Sequence, residues 1–227
     1  MKHQQIGASP GYAFAHYGLD STLDRFLWSI DRLAALDYSG FGLEILEPEH
    51  TAIYSDHGVT RLLERSRERG VRFPSFTIWH CTTNLTSTDP ARRALGVKQF
   101  AEGAEITARL GIPLAAIGSD WPPEWVGSYR AEYDHAPAAD FHLPSHHEYE
   151  NVWQGYVDAI SQCAGIAARY GIRMGLEPRA NSLVASADAF LRLAGAVQSE
   201  PLMCILDVMH CAFHREDAGI AIKKIGP

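Results

Sequence analysis

Two acidic side chains placed directly after apolar segments are the strongest candidates for chemistry in this sequence. Glu177 follows the apolar run at 172–176, Asp207 follows the run at 203–206, and His210 lies three residues further on. An unpaired carboxylate among apolar neighbours is energetically costly, so each carboxylate needs a partner or a function. We expect Glu177 and Asp207 to point into one common site.

A structural role is the alternative for each of these residues. Glu177 could form a salt bridge with Arg179, which lies two residues away. Asp207 could be the N-cap of the following helix, since a carboxylate accepts hydrogen bonds from the first free backbone N–H groups. His210 could be a structural hydrogen-bonding residue, and only the placement of all three side chains can decide.

The segment between the two carboxylates has the pattern of a helix between two buried strands. Its alanine-rich amphipathic stretch begins after Ser186 and has the length of a helix. This pattern is typical of parallel sheets, whose functional side chains lie at the carboxyl ends of the strands. It therefore predicts that Glu177 and Asp207 lie at the same edge of a sheet.

A helix that ends at a glycine before an apolar run recurs at Gly40, Gly70, Gly111 and Gly171. Glycine tolerates the left-handed conformation that ends many helices. The repetition predicts serial βα units, and both an open doubly wound sheet and a closed barrel are compatible with it. The predicted strands are residues 6–9, 41–45, 71–79, 113–117, 172–176 and 203–206.

The composition is that of a single globular domain spanning residues 1–227. Hydrophobic residues make up 46% and charged residues 21%, which is ordinary for a folded protein. The net charge of −7 argues against a nucleic-acid partner, which would favour a basic face. No apolar stretch approaches the roughly 20 residues that span a bilayer. No apolar h-region follows residues 1–5, so we expect no secretion by a cleaved signal. With four cysteines and no CxxC pair, we expect a reduced, cytoplasmic protein.

Further candidates for a pocket wall lie at or just beyond the carboxyl ends of predicted strands two to five: Glu44, His80, Trp121 and Arg179. Glu44 could instead form an ion pair with a neighbouring strand, and Arg179 could orient Glu177. Residues 119–148 form a long loop after strand four, and a loop of this length is often functional. We expect it to be a lid, which Trp121 could anchor.

The ordered combination of FGLEI (41–45), GLEP (175–178) and ILDVMH (205–210) resembles the sugar isomerase/epimerase superfamily with the xylose isomerase-like TIM barrel. The helix–glycine–strand rhythm extends this resemblance over nearly the whole chain. The resemblance implies an α/β fold of the (β/α)8 barrel type, in which Glu177 and Asp207 ligate a divalent metal. It also implies that His210 contacts substrate, or binds metal as in the related endonuclease IV group.

The resemblance also implies residues that would follow the sixth βα unit. In that superfamily a histidine at the end of strand seven and a glutamate at the end of strand eight complete the site. This sequence ends at Pro227 after six predicted units, so we expect an incomplete barrel, a fragment of a longer protein. Some ketose 3-epimerases carry a further glutamate six residues after the strand-five ligand, where this sequence has Leu183. That difference argues against a ketohexose 3-epimerase.

The implied activity is isomerisation or epimerisation of a small sugar or related α-hydroxy carbonyl compound through an enediolate. Glu177 would be both metal ligand and general base. Oxygen-rich ligands favour Mn²⁺ or Mg²⁺, with Co²⁺ or Zn²⁺ open once histidine joins. The alternatives are an inosose dehydratase-like lyase, an endonuclease IV-like zinc nuclease, and an inactive barrel used for binding. Expected partners are a sugar-like substrate and further copies of the chain in a homo-oligomer, with neither nucleic acid nor a membrane.

Overall fold

Short parallel strands surrounded by helices make up the part of the chain that this computed structural model describes, residues 6–18, 21–126 and 142–226. The strands are β1 (Gly7–Ala8), β2 (Gly40–Phe41), β3 (Leu43–Ile45), β4 (Phe76–Ile78), β5 (Leu114–Gly118), β6 (Arg173–Glu177) and β7 (Leu202–Cys204). The α-helices are α1 (Gly11–Tyr17), α2 (Leu23–Ala35), α3 (Asp56–Arg69), α4 (Thr82–Leu85), α5 (Pro90–Arg109), α6 (Pro123–Val126), α7 (His146–Arg169), α8 (Ala187–Val197), α9 (Val208–Phe213) and α10 (Ala218–Ile225). Two 3₁₀ helices, Pro48–Tyr54 and Trp79–Cys81, follow β3 and β4.

The order of the strands distinguishes a barrel from a doubly wound sheet. Strands β3 to β7 form one parallel sheet in sequence order, and β1 pairs in parallel with β2. Only Gly42 separates β2 from β3, so residues 40–45 act as one strand that joins both pairings. Each strand thus lies beside its predecessor, as in a TIM barrel, without the reversal of strand order that defines a doubly wound fold.

Local caps fix the helices that flank the sheet. At the start of α8, Ser186 Oγ accepts a hydrogen bond from the N–H of Ala189, and α5 begins with Asp89 as N-cap followed by Pro90. Gly70 ends α3 at φ +68°, in the left-handed region that other residues rarely adopt. These observations confirm the helix limits predicted at residues 70 and 186.

The main core lies between the outer face of the sheet and the helices. Ile45 and Ile78 are fully buried, and a Cβ on Gly103 of α5 would lie only 2.5 Å from Ile78 Cδ1. Side chains alternate along a strand, so Glu44 and Thr77, which form a register pair, face the barrel interior. Helices therefore cover one face of the sheet, and the other face carries the polar residues.

Strand β4 is shorter than the sequence predicted. The predicted strand covered residues 71–79, but regular pairing is confined to Phe76–Ile78. Pro74 has no N–H to donate to a neighbouring strand, and ahead of it Arg72 forms only an isolated bridge with Gly40. The prediction was wrong in extent because the proline interrupts the pairing.

The predicted loop at 119–148 is partly helical. Helix α6 occupies Pro123–Val126, and α7 begins at His146, where Ser145 and Glu148 form a capping box. Residues 127–141 lie outside the described ranges, and a lid role for this loop stays a prediction. Among the helices of the described ranges, none combines the length and the apolar character needed to cross a membrane.

Candidate metal and substrate site

Three side chains with metal-binding atoms meet at the carboxyl ends of β6 and β7. Glu177 is the last residue of β6, Asp207 follows β7 as the N-cap of α9, and His210 lies within α9. One ligand atom from each of the three lies within 4.8 Å of the others. Because β6 and β7 are parallel neighbours, the fold itself brings these residues together.

The two carboxylates of this cluster repel each other where water screens them poorly. Burial, and after it the negative charge of Asp207, raises the pKa of Glu177 to about 7. Within the described ranges, neither carboxylate takes part in an ion pair, so the alternative of a salt bridge with Arg179 is not found. A divalent cation would neutralise both groups, and carboxylate oxygens suit Mn²⁺ or Mg²⁺. The carboxylates of Glu177 and Asp207 are therefore suitable ligands for a divalent metal ion.

Asp207 also caps the helix that carries His210. Its Oδ1 accepts a hydrogen bond from the N–H of Met209 at 2.7 Å. A carboxylate has two oxygens that each accept more than one contact, so a capping role and a metal-binding role do not exclude each other. The cap holds the carboxylate in place, and one of its oxygens lies within 4.8 Å of an oxygen of Glu177.

The ring of His210 is held by a backbone donor. The N–H of Ala180, in the loop after β6, donates to Nδ1 at 3.3 Å. A neutral imidazole has one nitrogen with a free lone pair, so when Nδ1 accepts, the hydrogen is on Nε2. Burial lowers the pKa of His210, which favours this neutral ring. In this tautomer Nε2 can donate to an oxygen atom but has no lone pair for a metal.

Glu44 and Trp79 form a hydrogen-bonded pair on the inner face of the sheet. Trp79 Nε1 donates to Glu44 Oε2 at 3.0 Å, and burial raises the pKa of Glu44 to about 7 against the opposing effect of this bond. Both side chains line a cavity of about 440 Å³ together with Glu177. In the part of the chain described, Glu44 forms no ion pair.

Arg179 lies behind Trp79 and does not line this cavity. Its guanidinium stacks over the indole, 5.1 Å from the ring centroid, and donates to the carbonyl of Ser119 at 3.4 Å. Burial lowers the pKa of Arg179, and the charge of Asp120 opposes that shift. Gly118 makes room for the stack, since a Cβ there would lie 2.6 Å from Trp79 and 2.8 Å from Arg179. Arg179 thus supports the cavity wall from outside.

His80, which the sequence favoured as a pocket residue, is not brought to this cavity. It is partly buried, and its charged neighbours are Glu102 of α5 and His50 of the first 3₁₀ helix. Trp79 and His80 lie in the 3₁₀ helix Trp79–Cys81 that follows β4, and of these two residues Trp79 lines the cavity whereas His80 does not. The sequence carries no signal that separates these two residues, since both lie beyond the paired residues of β4.

Trp121 and Leu183 pack beside the site and do not line the cavity. The Trp121 ring lies 6.3 Å from that of Trp125, against the core, which agrees with an anchoring role for the loop. Leu183 is buried in the core, and its N–H donates to the carbonyl of Asp120. Neither residue presents a polar atom to the cavity.

Known proteins share both the sequence pattern and the fold. The sequence profile of the xylose isomerase-like TIM barrel family matches residues 30–226. This chain belongs to that family. No curated protein sequence matches it.

Several solved structures of the xylose isomerase-like fold are epimerases. A D-psicose 3-epimerase in the presence of D-fructose is 20% identical with a TM-score of 0.73, over 99% of this chain and 70% of that chain. The apo form of a 3-keto-D-glucoside 4-epimerase from E. coli is 14% identical with a TM-score of 0.73, over 98% and 75%. A probable 3-DHS dehydratase from Bacillus anthracis is 16% identical with a TM-score of 0.69, over 98% and 69%. At these identities the likeness shows the fold.

Proposed function

We propose that this protein is a metal-dependent isomerase or epimerase that acts on a small sugar or a related α-hydroxy carbonyl compound. One observation carries the proposal: an oxygen of Glu177, an oxygen of Asp207 and a ring nitrogen of His210 lie within 4.8 Å of one another at the ends of adjacent parallel strands. TIM-barrel enzymes perform their chemistry at this end of the barrel. Membership of the family and the epimerases that share the fold support the same activity.

Glu177 is the general base in this proposal. It removes the proton from the carbon next to the substrate carbonyl, which leaves an enediolate, and a proton then returns to the same or the neighbouring carbon. A carboxylate in a partly buried position accepts and releases a proton more readily near neutral pH than an exposed one. Isomerisation can use Glu177 alone on one face, whereas epimerisation needs a second proton donor on the opposite face.

Glu177 and Asp207 would hold the divalent metal, and their oxygens favour Mn²⁺ or Mg²⁺, with Co²⁺ or Zn²⁺ still open. When bound, such an ion acts as a Lewis acid that stabilises negative charge on substrate oxygens. Pairing of β6 with β5 and β7 positions Glu177, and the N–H of Met209 positions Asp207. The chain therefore orients both carboxylates through its backbone.

His210 fits a substrate contact better than a metal ligand. Its Nδ1 accepts from Ala180, which leaves the Nε2–H to donate to a substrate oxygen. This arrangement speaks against an endonuclease IV-like zinc nuclease, where the corresponding histidine binds metal. The net charge of −7 also disfavours binding to DNA phosphates. An inactive barrel is disfavoured because close, partly buried carboxylates cost stability unless they are used.

A dehydratase that uses the same base is the second candidate. Removal of the proton next to a carbonyl also starts the elimination of water when the next carbon carries a hydroxyl group. The shared fold of a probable 3-DHS dehydratase is the observation that favours it. The two activities need the same Glu177 and differ in whether a hydroxyl group leaves.

A reducing, cytoplasmic setting is part of this proposal. All four cysteines are free, and Cys81, Cys163 and Cys211 are buried. Buried free thiols are common in proteins that fold without disulfides. Self-association into a homo-oligomer remains a further expectation.

Proton exchange in D₂O tests the proposed function. We would incubate the protein and Mn²⁺ with ketoses, an inosose and hydroxypyruvate, and follow deuterium incorporation next to the carbonyl by NMR. We expect incorporation and a new isomer in at least one case, and a loss of about 100-fold or more in Glu177→Gln. The exposed Glu200 gives the matched control Glu200→Gln, which should keep full exchange.

Full exchange by Glu177→Gln would overturn the assignment of the base. Absence of exchange in every compound would contradict the isomerase proposal. A dehydrated product without an isomer would establish the dehydratase instead.

A further inference from the structure

Glu44 is a buried carboxyl group with one defined partner. It is 7% exposed, and its Oε2 accepts the indole N–H of Trp79 at 3.0 Å. Its strand neighbours Leu43 and Ile45 are fully buried in the outer core, so Glu44 alone of the three faces the barrel interior. A polar group is rarely placed at such a position without a use, because burial without full hydrogen bonding is costly.

The cavity that Glu44 lines has an acidic character. Of the described residues along its wall, the ionisable ones are Glu44 and Glu177, and neither can provide positive charge. The guanidinium of Arg179 is not part of this wall; it stacks over the Trp79 ring and donates to the Ser119 carbonyl. Sites that bind phosphate or carboxylate groups usually present arginine, lysine or a helix N-terminus to them.

We infer that Glu44 is a specificity-determining residue. Its carboxyl oxygen that is not bonded to Trp79 binds a substrate hydroxyl group. The acidic wall of the cavity selects uncharged polyhydroxy carbonyl compounds over phosphorylated or carboxylated ones. The inference rests on the proposed function and adds the substrate class. It also excludes hydroxypyruvate and other small keto acids as good substrates.

The chemistry of a carboxyl group supports this in either protonation state. As a carboxylate it accepts a hydrogen bond from a hydroxyl group, and as an acid it donates one. Among the described residues of this wall, a phosphate or carboxylate group of a ligand beside Glu44 would meet a second acidic group and no cationic side chain. An uncompensated anion in a poorly solvated site is strongly disfavoured. Trp79 contributes the apolar ring face beside Glu44, an arrangement suited to the mixed apolar and hydroxyl surface of a sugar.

Matched substrate pairs test the inference. We would measure Mn²⁺-dependent deuterium exchange with D-fructose and D-fructose 6-phosphate, and with D-tagatose and D-tagatose 6-phosphate. The wild-type protein should prefer the uncharged member of a pair by about 10-fold or more in kcat/KM. In Glu44→Gln, kcat/KM for the uncharged member should fall about 10–100-fold, mainly through KM, as expected for one hydrogen bond to an ionisable group. The preference should shrink by about 10-fold.

Two further variants separate the possible causes. Glu44→Asp keeps the charge but shortens the side chain, so affinity should fall while the preference for uncharged substrates persists. Glu49→Gln alters an exposed glutamate on the 3₁₀ helix that follows the same strand, and it should change neither quantity. Thermal unfolding of each variant verifies that the fold is retained.

An unchanged preference in Glu44→Gln would overturn the inference and leave the proposed function intact. Equal or better use of the phosphorylated member by the wild type, or no use of any uncharged ketose, would also overturn it. Loss of Mn²⁺-dependent exchange throughout, with every substrate of the wider panel, would instead contradict the proposed function.

Discussion

At the scale of single residues, a buried carboxyl group without a counter-charge makes folding stability depend on pH. The pKa of Glu44 is raised from 4.5 to about 7 by burial, so the folded protein favours the protonated form. The stability that Glu44 contributes is therefore fully present below about pH 4.5 and is lost as the pH rises through about 7. A glutamine at this position is neutral at every pH and retains an acceptor for Trp79.

Glu44→Gln should accordingly stabilise the protein at high pH. We expect its free energy of unfolding to exceed that of the wild type by about 1–3 kcal/mol at pH 8.5, with a much smaller difference at pH 5. Urea unfolding at the two pH values measures this. The exposed Glu49→Gln should show no such dependence, and an equal difference at both pH values would contradict the assigned burial effect.

The two roles of Asp207 can be separated by choosing the substitution. Asp207→Asn removes a metal ligand charge but retains an oxygen for the N–H of Met209, which Asp207 caps at 2.7 Å. Asp207→Ala removes both. In the presence of a chelator, we expect Asp207→Ala to be about 1 kcal/mol less stable than Asp207→Asn, as measured by chemical unfolding. Equal stabilities would show that the cap contributes nothing.

The sequence predicts the position of a site residue at a strand end where an apolar run is followed directly by a carboxylate. Glu177 and Asp207 follow this rule, and the parallel order of β6 and β7 puts them side by side. Placement at the end of predicted strand three also made His80 a candidate. That prediction failed because residues 79–81 form a 3₁₀ helix, in which Trp79 lines the cavity and His80 does not.

At the scale of elements, the stack of Trp79 and Arg179 over β5 depends on the absence of a side chain at Gly118. A Cβ at Gly118 would lie 2.6 Å from Trp79 and 2.8 Å from Arg179. Gly118→Ala should therefore displace the wall of the cavity, lower stability by about 1–3 kcal/mol, and raise KM for the substrate. Unfolding and steady-state kinetics measure the two effects.

Gly195→Ala is the matched control for Gly118→Ala. Gly195 lies in α8, where an added Cβ would meet only open space, so alanine should stabilise the helix by about 0.5–1 kcal/mol and leave kinetics unchanged. If the two variants behaved alike, the close packing at Gly118 would not matter for the cavity.

Elements with strong local signals were predictable, and short ones were not. Helix α5 has Pro90 after a capping aspartate, and α8 has a capping serine. Helices α6 and α9 span only Pro123–Val126 and Val208–Phe213, too few residues to show a helical period. They form because the chain leaving β5 and β7 must turn away from the sheet, which is a tertiary requirement.

For the molecule as a whole, the order of the strands decides between the two folds with which the repeating helix–glycine–strand pattern is compatible. Helix–glycine–strand repeats are compatible with a doubly wound sheet or a barrel, because local sequence does not encode which strands become neighbours. The sequential parallel order and the family match over residues 30–226 resolve this in favour of the barrel.

We expect residues 1–227 to form a single domain, and a single domain predicts one cooperative unfolding transition. Far-UV circular dichroism follows the helices, while tryptophan fluorescence follows five tryptophans, which range from Trp28 of α2 to Trp153 of α7. Both signals should give the same midpoint in urea. Two separate midpoints would contradict a single cooperative unit.

Mn²⁺ titration followed by electron paramagnetic resonance measures whether Glu177 and Asp207 bind a divalent metal. We predict one Mn²⁺ per wild-type chain, and binding weakened by about 10-fold or more in Glu177→Gln and in Asp207→Asn, while Glu200→Gln binds normally. Mn²⁺ binding that is unchanged in both carboxylate variants would contradict the claim.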